Sequence, residues 1–569
     1  MFGLTLTDWI VLTIYLIGTT LIGVWAARKV KSAASYFISD RKSGIWLMLF
    51  YNFGTGTHSD QAVSVAAKTY HAGASGIWYQ WLWLFATPFY WLIAPLFRRM
   101  RAVTTADYFE ARYNRSVSLL FAVIGMLQMM VNIGVMLKGS SAMITAVSGG
   151  SINPDVAILA TTVIFVIYGV AGGLNAAIVT DLIQGILTVL FSFLLLPLAL
   201  SQVGGMEGLR AKISDPAMFE IVTPGEINTF FIVVIAINAL VGIVTQPHTM
   251  GMCSAGKTEF EGRFGWTAGS FLKRICTIAW VLTGLCAVAM YMGQDIDVDQ
   301  VYGLMAHDLL PGIGLGLVGL FIASMLAALM SSCDAFMVTS AALFTENIYR
   351  KVIVKNKQDK HYILVGRVAS LVVVACGILF AFSMTSVVSG LEMFWKVAAM
   401  MGIAFWIGLF WRRATVAGAW AATLASFAVY LFTSSITILD HTLWDFDARF
   451  AQMLPGFMLW DGGLYLPWQI IMYLTVGLVT LFVVSLVSRP VDDAKLERFY
   501  TCLRTPVMQQ EPEVAPFTLP ENVSPSPRRL LFGRFGFEIP VPTMLSITGF
   551  IVAWCLIGSL MAAFFWILA

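Results

Sequence analysis

Apolar stretches recur along nearly the whole chain, and short polar loops separate them. A helix needs about 20 consecutive apolar residues to cross a bilayer, and about fourteen stretches are long enough. In lipid every backbone polar group needs a partner within the protein, so this pattern predicts an all-α polytopic membrane protein with both termini on one side. The predicted spans are residues 7–27, 44–70, 75–97, 116–147, 154–172, 175–200, 229–252, 266–292, 311–345, 363–385, 388–411, 415–433, 467–488 and 543–568.

Two of these spans are interrupted by glycine, proline and polar residues. The first, Ile45–Tyr70, contains the run Phe53–Asp60 (FGTGTHSD), and the second, Phe230–Met252, contains Thr245–His248 (TQPH). Backbone groups that a break releases cannot face lipid, so protein, ion or solute must satisfy them. Paired broken helices in the two halves of a membrane protein are typical of the binding site of a secondary transporter.

The composition excludes several classes of protein. Hydrophobic residues make up 58% of the chain and charged residues 12%, which excludes a soluble enzyme and a disordered chain. The sequence has no cofactor fingerprint, and its 6 histidines lack metal-binding spacing, so no enzymatic activity is expected. The net charge of +3 gives no indication of a nucleic-acid partner. The 7 cysteines show no paired spacing and are expected to be reduced.

Lysine and arginine concentrate in alternate loops, and the outside loop 201–228 is the exception. The positive-inside rule therefore places the N-terminus outside. The same rule places the proline-rich segment 489–542 in the cytoplasm, where a solvated linker is expected and a regulatory or lipid-binding role is the alternative. Short loops favour a bacterial inner membrane. The cations that define the inside are Arg28, Lys29, Lys31, Arg41, Lys42, Arg98, Arg99, Arg101, Arg350, Lys351, Lys355, Lys357, Lys360, Arg412 and Arg413.

A small patch of oxygen atoms is predicted in the ninth span. Ala328, Ser331 and Ser332 share one helical face, which presents two hydroxyls and a carbonyl. The break in the second span can add the carbonyls of Gly54 and Thr57. A hard cation such as sodium is held by about five or six oxygen atoms. The alternative is that the serines bond to the backbone of their own helix.

Two charged residues lie deep within predicted spans. Asp181 stands near the start of the sixth span, and an intramembrane carboxylate is by default a functional candidate. Lys138 lies about nine residues from either end of the fourth span, too deep for easy snorkelling. A buried ammonium needs a partner, which is Asp60, Asp181 or a carboxylate of the solute. The last option favours an anionic solute.

Six stretches in this order resemble the sodium:solute symporter family, which includes the sodium/glucose cotransporters and the sodium/proline symporters. The resemblance implies a leucine-transporter-type five-plus-five inverted repeat with extra flanking helices. The matching stretches are Arg101–Tyr113 (RAVTTADYFEARY), Tyr168–Gln184 (YGVAGGLNAAIVTDLIQ), Thr245–His248, Phe271–Lys273, Ala327–Asp334 (AALMSSCD) and Phe410–Ala419 (FWRRATVAGA).

The resemblance also implies a division of the chain. An extra helix and inside loop (1–43) precede the first repeat (44–200), and an outside loop (201–228) precedes the second (229–413). Further spans (414–488), the cytoplasmic linker (489–542) and a last span (543–569) follow.

The resemblance assigns roles to particular residues. It implies that sodium binds the oxygen patch already described, and that Asp181 lines the exit path of the ion. Together with Asp334, Asp181 is also a candidate for a second cation site. The implied sodium ligands are Gly54, Thr57, Ala328, Ser331 and Ser332, and the implied solute contacts are Gln61, Gln80, Asn238 and Lys273. Asp60, next to Gln61, and Lys138, deep in its span, are further candidates from the residues themselves.

The sequence therefore predicts a sodium-coupled symporter that imports a small polar organic solute by alternating access. A sugar, polyol or sugar acid is the first expectation, and an amino acid or other carboxylate is the alternative. A passive channel or a membrane sensor on a transporter fold is the alternative from another class. The expected partners are Na⁺ as coupling ion, the solute and the lipid bilayer, with a monomeric transport unit.

Overall fold

The computed structural model describes residues 4–27, 37, 41–438, 441–508, 511–512, 514–533 and 536–569. Within these ranges the side chains of residues 24, 26–27, 168, 170–173, 175–176, 437–438 and 441 are left undescribed. The predicted inside loop that carries Arg28, Lys29 and Lys31 lies outside the described residues.

Helices make up most of the described chain, which confirms the predicted fold class. The first half contains α1 (Leu6–Ala27), α2 (Ile45–Gly56), α3 (Ser59–Ala72), α4 (Trp78–Trp81), α5 (Thr87–Arg99), α6 (Thr105–Arg112), α7 (Arg115–Val147), α8 (Pro154–Leu194), α9 (Leu196–Val203) and α10 (Gly205–Lys212). The second half contains α11 (Thr229–Ile243), α12 (Thr249–Ser254), α13 (Glu259–Tyr291), α14 (Val301–Leu309), α15 (Leu317–Ala342), α16 (Asp359–Ser383), α17 (Val387–Phe410), α18 (Val416–Phe432), α19 (Phe446–Phe450), α20 (Leu466–Val487), α21 (Asp493–Arg504) and α22 (Met544–Leu568).

Shorter elements complete the described part of the chain. In that part, 9 helical stretches are long and apolar enough to cross a membrane, and three shorter helices are also apolar. Two small antiparallel hairpins pair β1 (Ile436–Ile438) with β2 (His441–Trp444) and β3 (Leu459–Trp460) with β4 (Gly463–Leu464). A π-helix, Leu343–Ile353, continues α15, and the 3₁₀ helices are Gly73–Ile77, Pro216–Phe219, Val298–Gln300, Ala451–Met453 and Gly456–Met458.

Both predicted interruptions are confirmed. Thr57 and His58 separate α2 from α3 and have extended backbone. Residues 244–248 separate α11 from α12, and Pro247 among them has no N–H to continue a helix. The half-helix α2 packs against α8, α13 and α15, while α3 packs against α7 and α13. The first break therefore lies in the middle of the helical bundle.

Two spans differ from the prediction. Residues 154–172 and 175–200, predicted as separate spans, fall in the continuous helix α8 of 41 residues and the short α9 that follows it. Pro154 stands in the first turn of α8 and no other proline follows before Pro197, so no residue type in it forces a break. The predicted span 75–97 is itself broken into a 3₁₀ turn, α4 and α5, and Pro88 stands at the start of α5.

A buried arginine joins α6 to the end of α17. The Arg112 guanidinium is fully buried and donates hydrogen bonds to the carbonyls of Gly408 at 2.6 Å, Trp411 at 2.8 Å and Ala414 at 3.2 Å. The last carbonyls of a helix have no partner within it, and a cation there is also attracted to the negative end of the helix dipole. Two of the stretches that carry the family resemblance are therefore in direct contact.

The segment 489–542, expected to be a solvated linker, is largely exposed in its described residues but contacts the helix ends at several points. Its described residues fold back onto the helix ends, and the Phe517 N–H donates to the carbonyl of Met100 at 2.9 Å. Arg101 and Glu511 form an ion pair at 2.8 Å with side chains only 1% and 4% exposed. Proline and charge content suggested solvation, but the charges find partners far away in sequence. We call the paired residues the linker cluster: Arg101, Glu511, Arg412, Arg504, Arg528 and Glu538.

Candidate cation and solute site

The end of α2 meets the middle of α15 at a group of buried oxygen atoms. The Ser332 hydroxyl donates to the Gly54 carbonyl at 3.0 Å. The Thr57 N–H donates to the same carbonyl at 3.2 Å. Ser331 and Ala328 lie on the same stretch of α15, and both are fully buried. The structure therefore brings Gly54, Ser331 and Ser332 together, while Thr57 follows Gly54 at the end of α2 and Ala328 precedes Ser331 by about one helical turn.

Gly54 allows this close approach because it has no side chain. A Cβ atom there would lie 2.5 Å from the Ser331 hydroxyl, well inside van der Waals contact. The hydroxyl of Thr57 is buried and has no hydrogen-bond partner in the part of the chain that the structure describes. Neutral hydroxyls and carbonyls are the oxygen donors that hard cations such as sodium prefer. The residues present therefore fit a sodium ion.

Asp181 adds a carboxyl group beside the oxygen patch. Its Oδ1 accepts a hydrogen bond from Ser331 at 2.6 Å, and the residue is fully buried. Asp334 lies close enough to interact electrostatically with Asp181, and Tyr15 from α1 interacts with both. Two carboxylates placed together in a buried site favour either a bound cation or a proton, since like charges repel.

A cavity lies at the two helix breaks, next to the oxygen patch. The break between α2 and α3, the break between α11 and α12, and the helices α7, α13, α15 and α17 all contribute to its wall. Its polar lining includes Asn52, Thr57, His58, Gln61, Asn132, Gln246, His248, Ser270, Lys273 and Arg274, and its aromatic lining is Trp83, Tyr90, Trp266, Phe336 and Phe394. Mixed aromatic and polar walls are typical of small-molecule sites.

Hydrogen bonds organise the polar wall around the first break. Lys273 Nζ donates to the carbonyl of Gly56 at 2.6 Å, so an ammonium on α13 satisfies a backbone group at the broken end of α2. His58 Nδ1 lies 2.8 Å from Asp60 Oδ1. Gln61 Nε2 lies 3.2 Å from His58 Nε2. Because the amide nitrogen can only donate, His58 Nε2 accepts and Nδ1 carries the proton donated to Asp60.

Four predicted solute contacts, Asp60, Gln80, Lys138 and Asn238, are absent from the described lining of the cavity. The Asn238 amide donates to the Trp395 carbonyl at 3.3 Å and accepts from the Tyr473 hydroxyl at 2.6 Å. It therefore joins α11 to α17 and α20. Gln80 is buried in α4, and its backbone carbonyl accepts from Arg274 at 3.0 Å.

Lys138 also points elsewhere. Its neighbour Gly139 faces Asp60, where a Cβ would lie 2.7 Å from the Asp60 Cα. One residue along a helix is a rotation of about 100°, so the Lys138 side chain turns away from that contact. It interacts electrostatically with Asp299 instead. The described ion pairs include none between Lys138 and Asp60 or Asp181, so of the three expected partners only a carboxylate of the solute stays a prediction.

Two histidines in the cavity wall were not predicted as site residues. His58 immediately precedes α3, and His248 immediately precedes α12, so the two broken helices carry a histidine at matching positions. Both rings contact Phe336, with centroids 5.8 Å and 4.6 Å away. Their positions within the two interruptions are the signal in the sequence that identifies them, because broken helices line the binding sites of transporters.

Comparison with known proteins agrees with this geometry. The model of the sodium:solute symporter family matches residues 36–426. The chain belongs to the sodium:solute symporter family. Such proteins are transporters with Na⁺ as coupling ion, so this chain is an integral membrane symporter and not an enzyme.

Relatives of different substrate classes are similar to this chain. The sodium/glucose cotransporter of Vibrio parahaemolyticus is 26% identical over 494 residues, which cover 78% of this chain and 88% of the relative. The osmoregulated proline transporter OpuE of Bacillus subtilis (strain 168) is 26% identical over 471 residues, covering 79% and 92%. These symporters differ in substrate, so similarity at this level leaves the solute class open.

The fold is shared with a solved symporter structure. A Na⁺-coupled sialic acid symporter in a substrate-bound, outward-open state aligns with a TM-score of 0.70 and 19% identity, covering 86% of this chain and 99% of that chain. This likeness shows the fold, which is of the leucine-transporter type.

Proposed function

We propose that this symporter imports a small polar organic solute, a sugar, polyol or sugar acid, by alternating access. One observation carries the proposal: the cation patch and the solute cavity share a single broken helix. Gly54 contacts Ser332 on α15, and Gly56, two residues later, accepts a hydrogen bond from Lys273 in the cavity wall. Order imposed on this segment by one ligand therefore lowers the cost of binding the other.

Sodium is proposed to bind the oxygen patch. The carbonyls of Gly54, Thr57 and Ala328 and the hydroxyls of Ser331 and Ser332 are the proposed ligands. Because Gly54 and Ser332 belong to different helices, an ion held between them stabilises the state in which α2 packs on α15. Coupling requires sodium to bind the outward and inward states with different affinity.

A second cation is proposed between Asp181 and Asp334. The electrostatic contact of two buried carboxylates supports it. Asp181 also reaches the first patch through Ser331, so an ion that leaves that patch has a carboxylate directly beside it. This arrangement suits the exit path that the family resemblance implies.

The solute is proposed to contact Gln61 and Lys273, with Asp60 positioning the neighbouring His58. For Asn238 and Gln80 we propose a packing role, because their described contacts join helices outside the cavity. The transport unit is proposed to be a monomer, since one chain supplies both broken helices and the whole cavity wall.

The proposed setting is a bacterial inner membrane with the N-terminus outside. Arg101 and Arg412 of the linker cluster lie at helix ends that the positive-inside rule assigns to the cytoplasm. The cluster holds the segment 489–542 at those ends, which supports a cytoplasmic position for that segment.

The test is a thermal-shift screen of the purified protein in sodium and in potassium. Sugars, polyols, sugar acids and amino acids are added singly in each salt. We expect sodium alone to raise Tm and one solute class to raise it further only in sodium. An identical Tm in both salts contradicts the sodium site. Solute flux through proteoliposomes that is independent of sodium indicates a passive path instead.

A further inference from the structure

Two basic side chains lie in the cavity wall, which a neutral solute does not require. Lys273 and Arg274 both line it, and the described lining includes no aspartate or glutamate. Asp60 is the carboxylate that interacts electrostatically with Lys273. Two basic side chains against this one carboxylate leave one basic group beside the cavity without an acidic partner. Burial of an uncompensated charge is costly, so a bound anion would stabilise this arrangement.

Lys273 has donor capacity to spare. Its side chain is buried, its Nζ lies 5.3 Å from the centre of the Trp83 ring, and its one hydrogen bond within the described chain goes to Gly56. An ammonium has three N–H groups. The described ion pairs include none between Lys273 and Asp60, and the Oδ1 of Asp60 is already bonded to His58. Two of the donors of Lys273 therefore remain for a ligand.

His248 offers a further donor on the opposite broken helix. The residue is 5% exposed, and its Nδ1 is buried with no hydrogen-bond partner in the described chain. His248 interacts electrostatically with both Lys273 and His58, so the three side chains face one region. A buried ring nitrogen without a partner is rare in a folded protein unless a ligand or water completes it.

Two amides supply oriented polar atoms for the rest of the ligand. Both side-chain atoms of Asn132 and the Oε1 of Gln61 are buried without partners among the described residues. Asn132 is fully buried and Gln61 is 2% exposed. Amide groups of this kind donate to and accept from hydroxyl or amide groups. The wall thus has a cationic part and a neutral hydrogen-bonding part.

We propose that the solute is an organic monoanion. Its carboxylate lies between Lys273 and His248, and its hydroxyl or amide groups face Gln61 and Asn132. This inference rests on the proposed function, because it names the substrate class of the same cavity. It also replaces Lys138, on which the sequence-based expectation of an anion depended, with two residues from the cavity wall.

The experiment compares pairs of solutes that differ in the carboxylate. Glucuronate is paired with glucose, gluconate with sorbitol, and pantothenate with panthenol, all in sodium. We expect an acid to raise Tm while its neutral twin does not. A neutral twin that stabilises the protein as well as its acid overturns the inference. Sodium alone should still raise Tm in that case, so the proposed function survives separately.

Two variants test the assigned contacts. Lys273→Gln should weaken binding of the acid by roughly 10- to 100-fold, the range for losing a hydrogen bond to a charged group, without removing the sodium effect. His248→Phe keeps a ring against Phe336 and should weaken acid binding by roughly 3- to 10-fold. The control is Lys396→Gln, since Lys396 is a half-buried lysine that bonds to Gln469 outside the cavity.

One result for Lys273→Gln would contradict the proposal. Equal loss of binding for an acid and its neutral twin in Lys273→Gln assigns that lysine to packing and contradicts the proposal. If Lys273→Gln fails to fold, His248→Phe and Lys273→Arg are measured instead. Lys273→Arg should retain the preference for the acid over its neutral twin. A wild-type protein whose Tm does not rise in sodium contradicts the proposed function instead.

Discussion

The solute cavity and the linker cluster differ in the hydrogen-bond partners of their buried polar groups. In the cavity wall, buried atoms of Asn132, Gln61 and His248 lack hydrogen-bond partners within the described chain. In the linker cluster, Glu538 is 1% exposed and accepts from three arginines, at distances from 2.6 to 3.2 Å. Native proteins satisfy nearly all buried polar groups. The unsatisfied wall therefore indicates a ligand site, and the cluster, whose central carboxylate is satisfied by three arginines, indicates a structural joint.

This contrast separates two kinds of substitution. Changes at the cation patch or cavity should alter ligand binding while the ligand-free protein keeps its stability. Changes at the linker cluster should lower stability while ligand affinity remains. The four predictions that follow test this separation from the largest expected effect to the smallest.

The double variant Ser331→Ala with Ser332→Ala should abolish sodium dependence. Both hydroxyls of the patch are removed, and two of the five proposed ligands are lost. Even a change beside a metal ligand costs on the order of 10- to 100-fold in metal affinity, so loss of two ligands should exceed that. The measurement is the rise of Tm with sodium concentration, together with sodium-driven uptake of a solute found in the screen.

Ser340→Ala is the matched control for the serine pair. Ser340 is a fully buried serine on the same helix, and its hydroxyl has no hydrogen-bond partner in the described chain. It should keep the sodium response. A sodium response retained in the double variant removes this patch from the mechanism.

Glu538→Gln should destabilise the protein without changing sodium affinity. The amide keeps the size of the side chain but leaves three arginines without their shared carboxylate. Removing one partner of a buried ion pair costs about 3 kcal/mol or more, and the partly exposed Arg528 places this case at the lower end. The measurement is Tm without ligand, followed by sodium titration of the folded protein.

Glu497→Gln is the control for that prediction. Glu497 pairs with Arg412 and Arg504, two of the same arginines, but its side chain is 50% exposed. Exposed pairs contribute about 1 kcal/mol or less. Equal destabilisation by the two variants would mean that burial of Glu538 does not matter and would remove the contrast between cluster and cavity.

Gly54→Ala should weaken sodium binding by roughly tenfold, a loss of about 1.4 kcal/mol, while the protein still folds. The added Cβ would lie 2.5 Å from the Ser331 hydroxyl, so that side chain must move. Gly558→Ala in α22 is the control, because nothing lies within 4 Å of its Cβ position. Sodium titrations that give the same affinity for both variants place the ion elsewhere.

The sequence predicted these features where local chemistry determines them. Glycine, proline and polar residues in 53–60 and 245–248 dictate the breaks, because they weaken a helix wherever they occur. Helical spacing alone places Ser331 and Ser332 on one face with Ala328. The link to Gly54 needed only the expectation that a broken helix offers free carbonyls.

The sequence did not predict features that depend on distant partners. Arg101 and its partner Glu511 are 410 residues apart in sequence. Tyr473, whose hydroxyl donates to the Asn238 amide oxygen, is 235 residues away from Asn238. Composition indicated a solvated linker because it cannot show which charges will meet. The direction of the Lys138 side chain was also not predictable, because it depends on how α7 is rotated about its axis. Depth in a span does not determine that direction.

Lys138→Gln should change solute affinity by less than about twofold, because surface or remote charges contribute less than 1 kcal/mol. Its effect should appear instead as a small, pH-dependent change in stability. Burial raises the pKa of Asp299 above its ordinary value of 3.8, while the backbone N–H of Val387 and the charge of Lys138 oppose that rise. Without Lys138 the pKa of Asp299 rises further.

A carboxyl whose pKa is higher in the folded state binds its proton more tightly there, so stability falls as pH rises from about 4 through the raised value. The Tm deficit of Lys138→Gln should therefore grow over that range and vanish below pH 4. Asp299→Asn in the same background should remove the pH dependence. A large and selective loss of acid binding in Lys138→Gln would return this lysine to the solute site and move the cationic part of the wall from α13 to α7.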